Sequence, residues 1–403
     1  MKDVSLASDK KAPIYALTFL ANMGYGVVLP GLSIYVKSMG SSYSVIGLVI
    51  SIYAAAQLVT QVPVGRISDR IGRRLLVTAG FTGVTIAAVL YNFASQPFHF
   101  YILQALGGLS MGCVWPPVLA YLTDMTKPGE RGKVMGIFNT VFFIGIGLGP
   151  LAGGYIASNF GFLAVFNVWA FIAGFGAVFS RIFLKDKPAT GIIPDKLTNF
   201  RTEKPKLITK GRLPTFVAAC AVRARGGFCT SFNNAILPLY AVALFDATQP
   251  MIGGLMFIHG IMLALFNFPG GVASDRFGRK WPPLYGSLLA TGGVLWYAFP
   301  GGYWFLFVAV ALAGAGAAFA TPGLAALVGD VSHASRRGEA FGFFQTSFFI
   351  GSVFGASVFG FLSDLFGLHL STLAWGGFSL ALSLCGFIIK DKDNNPNPVP
   401  VSP

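Results

Sequence analysis

The sequence predicts an all-α membrane protein with twelve transmembrane helices arranged as two related six-helix halves. Three observations predict it. The 403-residue chain is 54% hydrophobic and only 11% charged, with a mean hydropathy of +0.67, whereas soluble domains carry about 25% charged residues. Apolar runs able to cross a hydrocarbon core of about 30 Å follow one another along the chain. A polar stretch, Gly65-Arg-Ile-Ser-Asp-Arg-Ile-Gly-Arg-Arg74, returns as Gly271-Val-Ala-Ser-Asp-Arg-Phe-Gly-Arg-Lys280, 206 positions later. Recurrence at half the chain length, each time between apolar spans, marks an internal duplication.

The elements follow in order. The first apolar run, 12–36, comes after Lys10, Lys11 and Pro13. It is long enough to span and shows no small-residue cleavage site, so it is read as a retained span. Runs at 44–64, 75–95, 98–122, 133–157 and 161–184 complete a first half, 1–184. A polar, Lys-rich stretch, 185–212, is expected to be a cytoplasmic linker. Runs at 213–243, 250–272, 281–299, 303–328, 339–363 and 367–389 form a second half, 213–389. The Asn/Pro-rich tail 390–403 is expected to be disordered and cytoplasmic. The 51 glycines suit close helix packing in lipid.

The formal charge of +14 raises nucleic acid as a partner, but its distribution argues for the bilayer. Every Lys and Arg except Lys37, Arg223 and Arg225 falls in the tails, in alternate loops or at their span ends. That is the positive-inside pattern, and with an even number of spans it places both termini in the cytoplasm. A cell-membrane location follows. Cys113, Cys220, Cys229 and Cys385 lie unpaired in apolar runs and read as small buried hydrophobes. No phosphate-cradling G-x-x-x-x-G-K-[ST] loop and no metal-ligand spacing is present, so neither an enzyme nor a cofactor is expected.

The repeated stretch has the pattern G-x-x-x-D-R-x-G-R-[RK]. It resembles the loop between helices 2 and 3 of the major facilitator superfamily, with its copy between helices 8 and 9. A second duplicated segment has the same offset. Asp124, Arg131-Gly132, Gly136, Phe138, Thr140, Gly145 and Gly149 return as Asp330, Arg337-Gly338, Gly342, Phe344, Thr346, Gly351 and Gly355. The resemblance implies two bundles with substrate sites near the midplane between them. It also implies a charge relay: Asp69, Arg73 and Asp124 in one half, and Asp275, Arg279 and Asp330 in the other. These contacts are expected to form when the cytoplasmic side closes and to break when it opens. Gly65 and Gly271 are expected to admit a neighbouring backbone, and Gly72 and Gly278 to make turns.

In span 5, Gly145, Gly149 and Gly153 are four apart and share one face, which permits close approach of another helix. Pro150 can bend the helix. With Gly154, this run resembles the G-x-x-x-G-P-x-x-G-G signature carried in helix 5 by facilitators acting as drug antiporters.

Polar residues inside spans either pair between helices or line a pathway. The candidates are Asn22, Tyr53, Gln57, Gln61, Gln104 and Asn139, then Asn233, Asn234, His259, Asn267 and Gln345. Tyr53, Gln57 and Gln61 form a stripe on one helical face. Arg223 and Arg225 read first as interfacial anchors that snorkel from the first cytoplasmic turns of span 7, and second as contacts for an anionic substrate. All 15 acids lie in tails, loops or span ends. The family's R-x-x-x-G position in helix 4 holds Gln104, and His259 is the mid-span imidazole able to carry a proton. The expectation is a monomeric secondary transporter exporting drug-like or amphipathic small molecules, coupled to H+. Uptake or exchange of an anionic metabolite through Arg223, Arg225 and His259 is the alternative.

Overall fold

In the computed structural model, the described residues are 11–127, 130–185, 207–299, 301–333 and 336–390, with the side chains of Val62, Asp69, Arg131 and Gly132 excepted. Most of the linker expected at 185–212 and the tail expected after Lys390 lie outside them.

The described residues are almost entirely helical. The first half comprises α1 (Ala12–Ser38), α2 (Tyr43–Ile71), α3 (Arg73–Leu90), α4 (Pro97–Gly112), α5 (Trp115–Asp124), α6 (Arg131–Phe160) and α7 (Phe162–Phe183). The second comprises α8 (Leu213–Ala235), α9 (Leu237–Phe245), α10 (Gln249–Phe277), α11 (Trp281–Trp296), α12 (Tyr303–Val331) and α13 (Arg337–Leu384). Each of the twelve sequence-predicted spans falls on helix. Span 4 is α4 plus α5, span 7 is α8 plus α9, and α13 carries spans 11 and 12.

The breaks have local causes. Pro116 and Pro117 start α5, and a proline supplies no N–H to the preceding turn. Pro238 likewise follows the break at Ile236, where α8 and α9 meet at 47°. Gly367, at φ 80°, turns the chain inside α13. Its counterpart 206 positions earlier, Gly161 at φ 82°, separates α6 from α7. Only glycine adopts this region without strain.

The motif stretch differs from the polar loop expected. Residues Gly65–Ile71 extend α2, and Gly271–Phe277 extend α10. The turn itself is one residue in each half, Gly72 at φ 95° and Gly278 at φ 90°. The polar residues continue a helix because nothing before the glycine interrupts the backbone ladder.

Packing repeats between the halves. Span 1 lies on span 5, and span 7 lies on span 11. Two seams join one half to the other: span 5 against span 8, and span 2 against span 11. Both ends of the described chain lie at the end of the molecule that carries the motif turns. Lys11 reaches Glu130 at 3.6 Å, and Arg212 donates to the Lys390 carbonyl at 3.2 Å. The described ends of the stretch 185–212 are held there too. Tyr121 donates to the Lys185 carbonyl at 2.7 Å, and Thr209 N–H donates to the Val331 carbonyl at 3.0 Å.

Candidate functional site

The charged cluster at the motif end forms first. The turn at Gly278 starts α11 beside the end of α12, which brings Arg279 between two acids. Its Nη1 donates to Asp275 Oδ1 at 2.6 Å and to Ser274 Oγ at 3.3 Å, and its Nε lies 3.3 Å from Asp330 Oδ2. The expected second-half triplet is thus assembled. In the first half, Arg73 Nη1 meets Asp124 Oδ2 at 2.5 Å; the Asp69 side chain lies outside the described residues. All these pairs are partly exposed, so each contributes roughly 0–1 kcal/mol to folding.

The glycines report how closely helices approach. A methyl on Gly149 would sit 2.6 Å from the Met23 carbonyl oxygen, and Gly145 and Gly153 press on span 1 in the same way. Gly154 sits on the other side of α6, against Gln249 of span 8, and the Pro150 carbonyl abuts Gly253. The helix 5 motif therefore serves two contacts, one inside its half and one across the halves. The duplicate, Gly351 and Gly355, packs on span 7.

The two seams are closed at the end far from the motif turns. Gly47 abuts Ala356, Gly360 abuts Tyr43, and Gly154 abuts Gln249, while Gly260 meets Gly147 at mid-helix. At the motif end the same helices stand apart among the described residues: a methyl on Gly65, Gly136, Gly338 or Gly342 would meet none of them within 4 Å. Gly271 has only ordinary contact with Pro322. The expectation that Gly65 and Gly271 admit a neighbouring backbone is not met in this conformation, since among the described residues no backbone lies within 4 Å of a methyl placed on either.

One residue missed in the sequence fastens the closed end. Asp364, past the eleventh span, accepts from Tyr43 N–H at 2.9 Å, from Ser44 N–H at 2.8 Å and from the Ser44 hydroxyl. A carboxylate of one half therefore caps the first turn of span 2 in the other. A second bond joins the halves nearby, from Ser33 Oγ to the Asn234 carbonyl at 2.8 Å. Partial burial pushes the Asp364 carboxyl up, but the hydrogen bonds from Ser44 and Tyr43 outweigh it and hold the group below its ordinary value. The counterpart of Asp364 is Ser158, and that of Ser44 is Pro250, which has no N–H. Neither residue signals its role in the sequence, since the partners are 320 positions apart.

The candidate pathway residues divide. Asn22 Nδ2 is spent on the Thr18 carbonyl of its own helix at 2.8 Å. Tyr53 stacks on Tyr25 with centroids 4.4 Å apart. Gln57 is buried, and Gln104 is 1% exposed with its Nε2 unpartnered among the described residues. Gln61, Asn139 and Asn267 are half-buried. Asn233 is buried, with Nδ2 3.8 Å from Cys229 Sγ. His259 packs against Gly314 of span 10, in its own half.

Arg223 and Arg225 correct the anchor reading. Arg225 is 2% exposed and ranks among the largest fully buried side chains, with Nε and Nη1 lacking a hydrogen-bond partner among the described residues. It is inside the second half, not at a lipid headgroup. Arg223, two residues earlier and on nearly the opposite helical face, donates from Nη2 to Gln345 Oε1 at 3.0 Å. It lies against the rings of Phe348 and Phe344, at 4.5 and 5.4 Å. The anchor reading underestimated depth: Arg223 is about 15 Å along α8 from Leu213 at 1.5 Å per residue.

Comparison with known proteins agrees with this architecture. The family model described as Major Facilitator Superfamily matches residues 14–223 and 225–403. Multidrug resistance protein 2 of Bacillus subtilis is 27% identical over 384 residues, covering 94% of each chain. Quinolone resistance protein NorA of Staphylococcus aureus is 23% identical over 387 residues, covering 93% of this chain and 94% of that protein. An uncharacterized MFS-type transporter of Methanocaldococcus jannaschii is 26% identical over 386 residues, covering 93% and 96%. Among solved structures, the nucleoside transporter NupG superposes with a TM-score of 0.77 at 16% identity, over 94% of this chain and all of that one. A bacterial homologue of the lysosomal transporter Spinster, in an inward-facing and occupied conformation, gives 0.76 at 16%, over 96% of each. With matching helices, duplicated motif turns and a family model spanning both halves, the chain belongs to the major facilitator superfamily and is a multi-pass membrane transporter, not an enzyme.

Proposed function

We propose that the protein exports amphipathic small molecules by alternating access, driven by a proton gradient, with the motif end facing the cytoplasm. The observation that carries this reading is the contrast between the two ends of the seams. Span 2 on span 11 and span 5 on span 8 are in backbone contact at one end and open at the other. Two bundles joined in that way can rock about the space between them. The charge distribution puts the open end inside the cell, so the conformation is the one that loads cargo from the cytoplasm.

The relay then has a defined part. Arg73–Asp124 and the Arg279 cluster are formed while the motif end stands open, so the expectation that opening breaks these contacts is not met, because each pair lies within one half. They hold each half rigid across the turn, and closure adds contacts from one half to the other. Efflux as the direction draws support from the drug-resistance relatives and from the span 5 glycines. The test is reconstitution in vesicles with a pH gradient. Uphill export of an amphipathic dye that collapses on adding an uncoupler is the expected result. Flux indifferent to the gradient would remove proton coupling, and no flux of any compound would remove the transport reading.

A further inference from the structure

We propose that Arg223 receives the cargo, and that the cargo is an amphipathic organic anion. The inference deepens the export reading and rests on it only for the direction of movement. Arg223 is half-buried near the middle of span 7. Thr230, two turns further on, is exposed, and Asn234, three turns on, accepts through its carbonyl from Ser33 of the first half, so this side of the helix faces the other half. Arg225 shares none of it.

The guanidinium is held but not neutralised. Gln345 takes one N–H through a neutral amide oxygen, and the Phe344 and Phe348 rings flank the charge. Its buried Nε has no hydrogen-bond partner among the described residues. A cation without a counter-ion in a low-dielectric interior is costly unless something pairs with it. Among the described residues no acid pairs with it, and by the sequence all 15 acids fall in tails, loops or span ends.

The missing negative charge is therefore supplied from outside. A carboxylate or sulfonate satisfies a guanidinium through charge-assisted bonds, and the two phenylalanines offer apolar surface to the body of the same molecule. A cationic cargo meets the opposite situation: a fixed like charge and no acid in the spans. Gln345 orients the guanidinium as a positioning residue.

The test uses the full chain and a pair of dyes with one ring system, anionic fluorescein and cationic rhodamine 6G. Thermal stabilisation in neutral detergent reads binding, and flux in vesicles reads transport. Wild type is expected to be stabilised by fluorescein and not by rhodamine 6G. Arg223→Gln should weaken fluorescein at least tenfold, and Arg223→Lys should restore part of the affinity. Arg225→Gln should keep the preference for the anion. Equal affinity for both dyes, or fluorescein affinity unchanged in Arg223→Gln, overturns the proposal. So does stabilisation by phosphatidylglycerol with none by fluorescein, which would make the site a lipid contact. Anion-selective binding without flux would leave this site standing and remove the export reading. Flux with no charge preference would do the reverse.

Discussion

Asp364 and Asp124 are both carboxylates at helix ends, yet they act at different levels. Asp124 pairs with Arg73 inside one half. Asp124→Asn is expected to lower stability by less than about 1 kcal/mol, as for an exposed pair, while cutting transport several-fold; a melting curve beside a flux assay separates the two. Asp364 joins the halves, so removing it changes a population. An acid at an exposed helix N-terminus contributes roughly 0.3–1 kcal/mol, which is about a two- to fivefold shift. Asp364→Ala should move the protein by that factor toward the state open at the far end. Spin labels at Ser38→Cys and Leu365→Cys would read the change as a longer distance component. Because the Asp364 carboxyl titrates below its ordinary value, its contribution is complete above that value and is lost as pH falls through the lowered one. The label distance should therefore stay constant between pH 8 and pH 5. The relay acids were legible because their pattern occurs twice. Asp364 was not, because a cap made by a residue 320 positions away leaves no local trace.

At the scale of elements, span 5 (α6) shows what the sequence reveals and what it hides. The four-residue spacing of Gly145, Gly149 and Gly153 identified a packing face, and that face meets span 1. The second face, through Gly154 and the Pro150 carbonyl against span 8, is visible only once the halves are docked. The breaks at Val114 and Ile236 were hidden as well, since hydropathy does not distinguish a bent span from a straight one. So was the depth of Arg223, because a 31-residue run, 213–243, can place its arginines at several levels. The contrast between glycines is testable. Gly149→Val would drive a branched side chain into the Met23 backbone, 2.6 Å from where its Cβ must lie, and should cost about 1–3 kcal/mol or prevent folding. Gly136→Ala meets open space and should leave the melting temperature unchanged or slightly raised, since alanine favours helix.

At the scale of the whole molecule, the closed seams indicate what the open end becomes. Span 2 and span 11 run antiparallel, with Gly47 against Ala356 and Tyr43 against Gly360. Moving 18 residues along span 2 from Gly47 reaches Gly65, and moving 18 back along span 11 from Ala356 reaches Gly338. Eighteen residues are about five turns at 3.6 residues per turn, so the second pair lies on the same faces as the first. In the other seam the same step leads from Gly253 to Gly271. The motif glycines that have no backbone neighbour now are thus where the seams would meet after the halves rock. This accounts for glycine at Gly65 although nothing in the present conformation requires it. Gly65→Leu should therefore fold normally, with stability within about 0.5 kcal/mol of wild type, as for a surface substitution. It should hold the protein open at the motif end and abolish flux while leaving dye binding in detergent intact. If Gly65→Leu carried cargo at the wild-type rate, span 2 would not need to approach span 11 there, and closure would have to occur elsewhere.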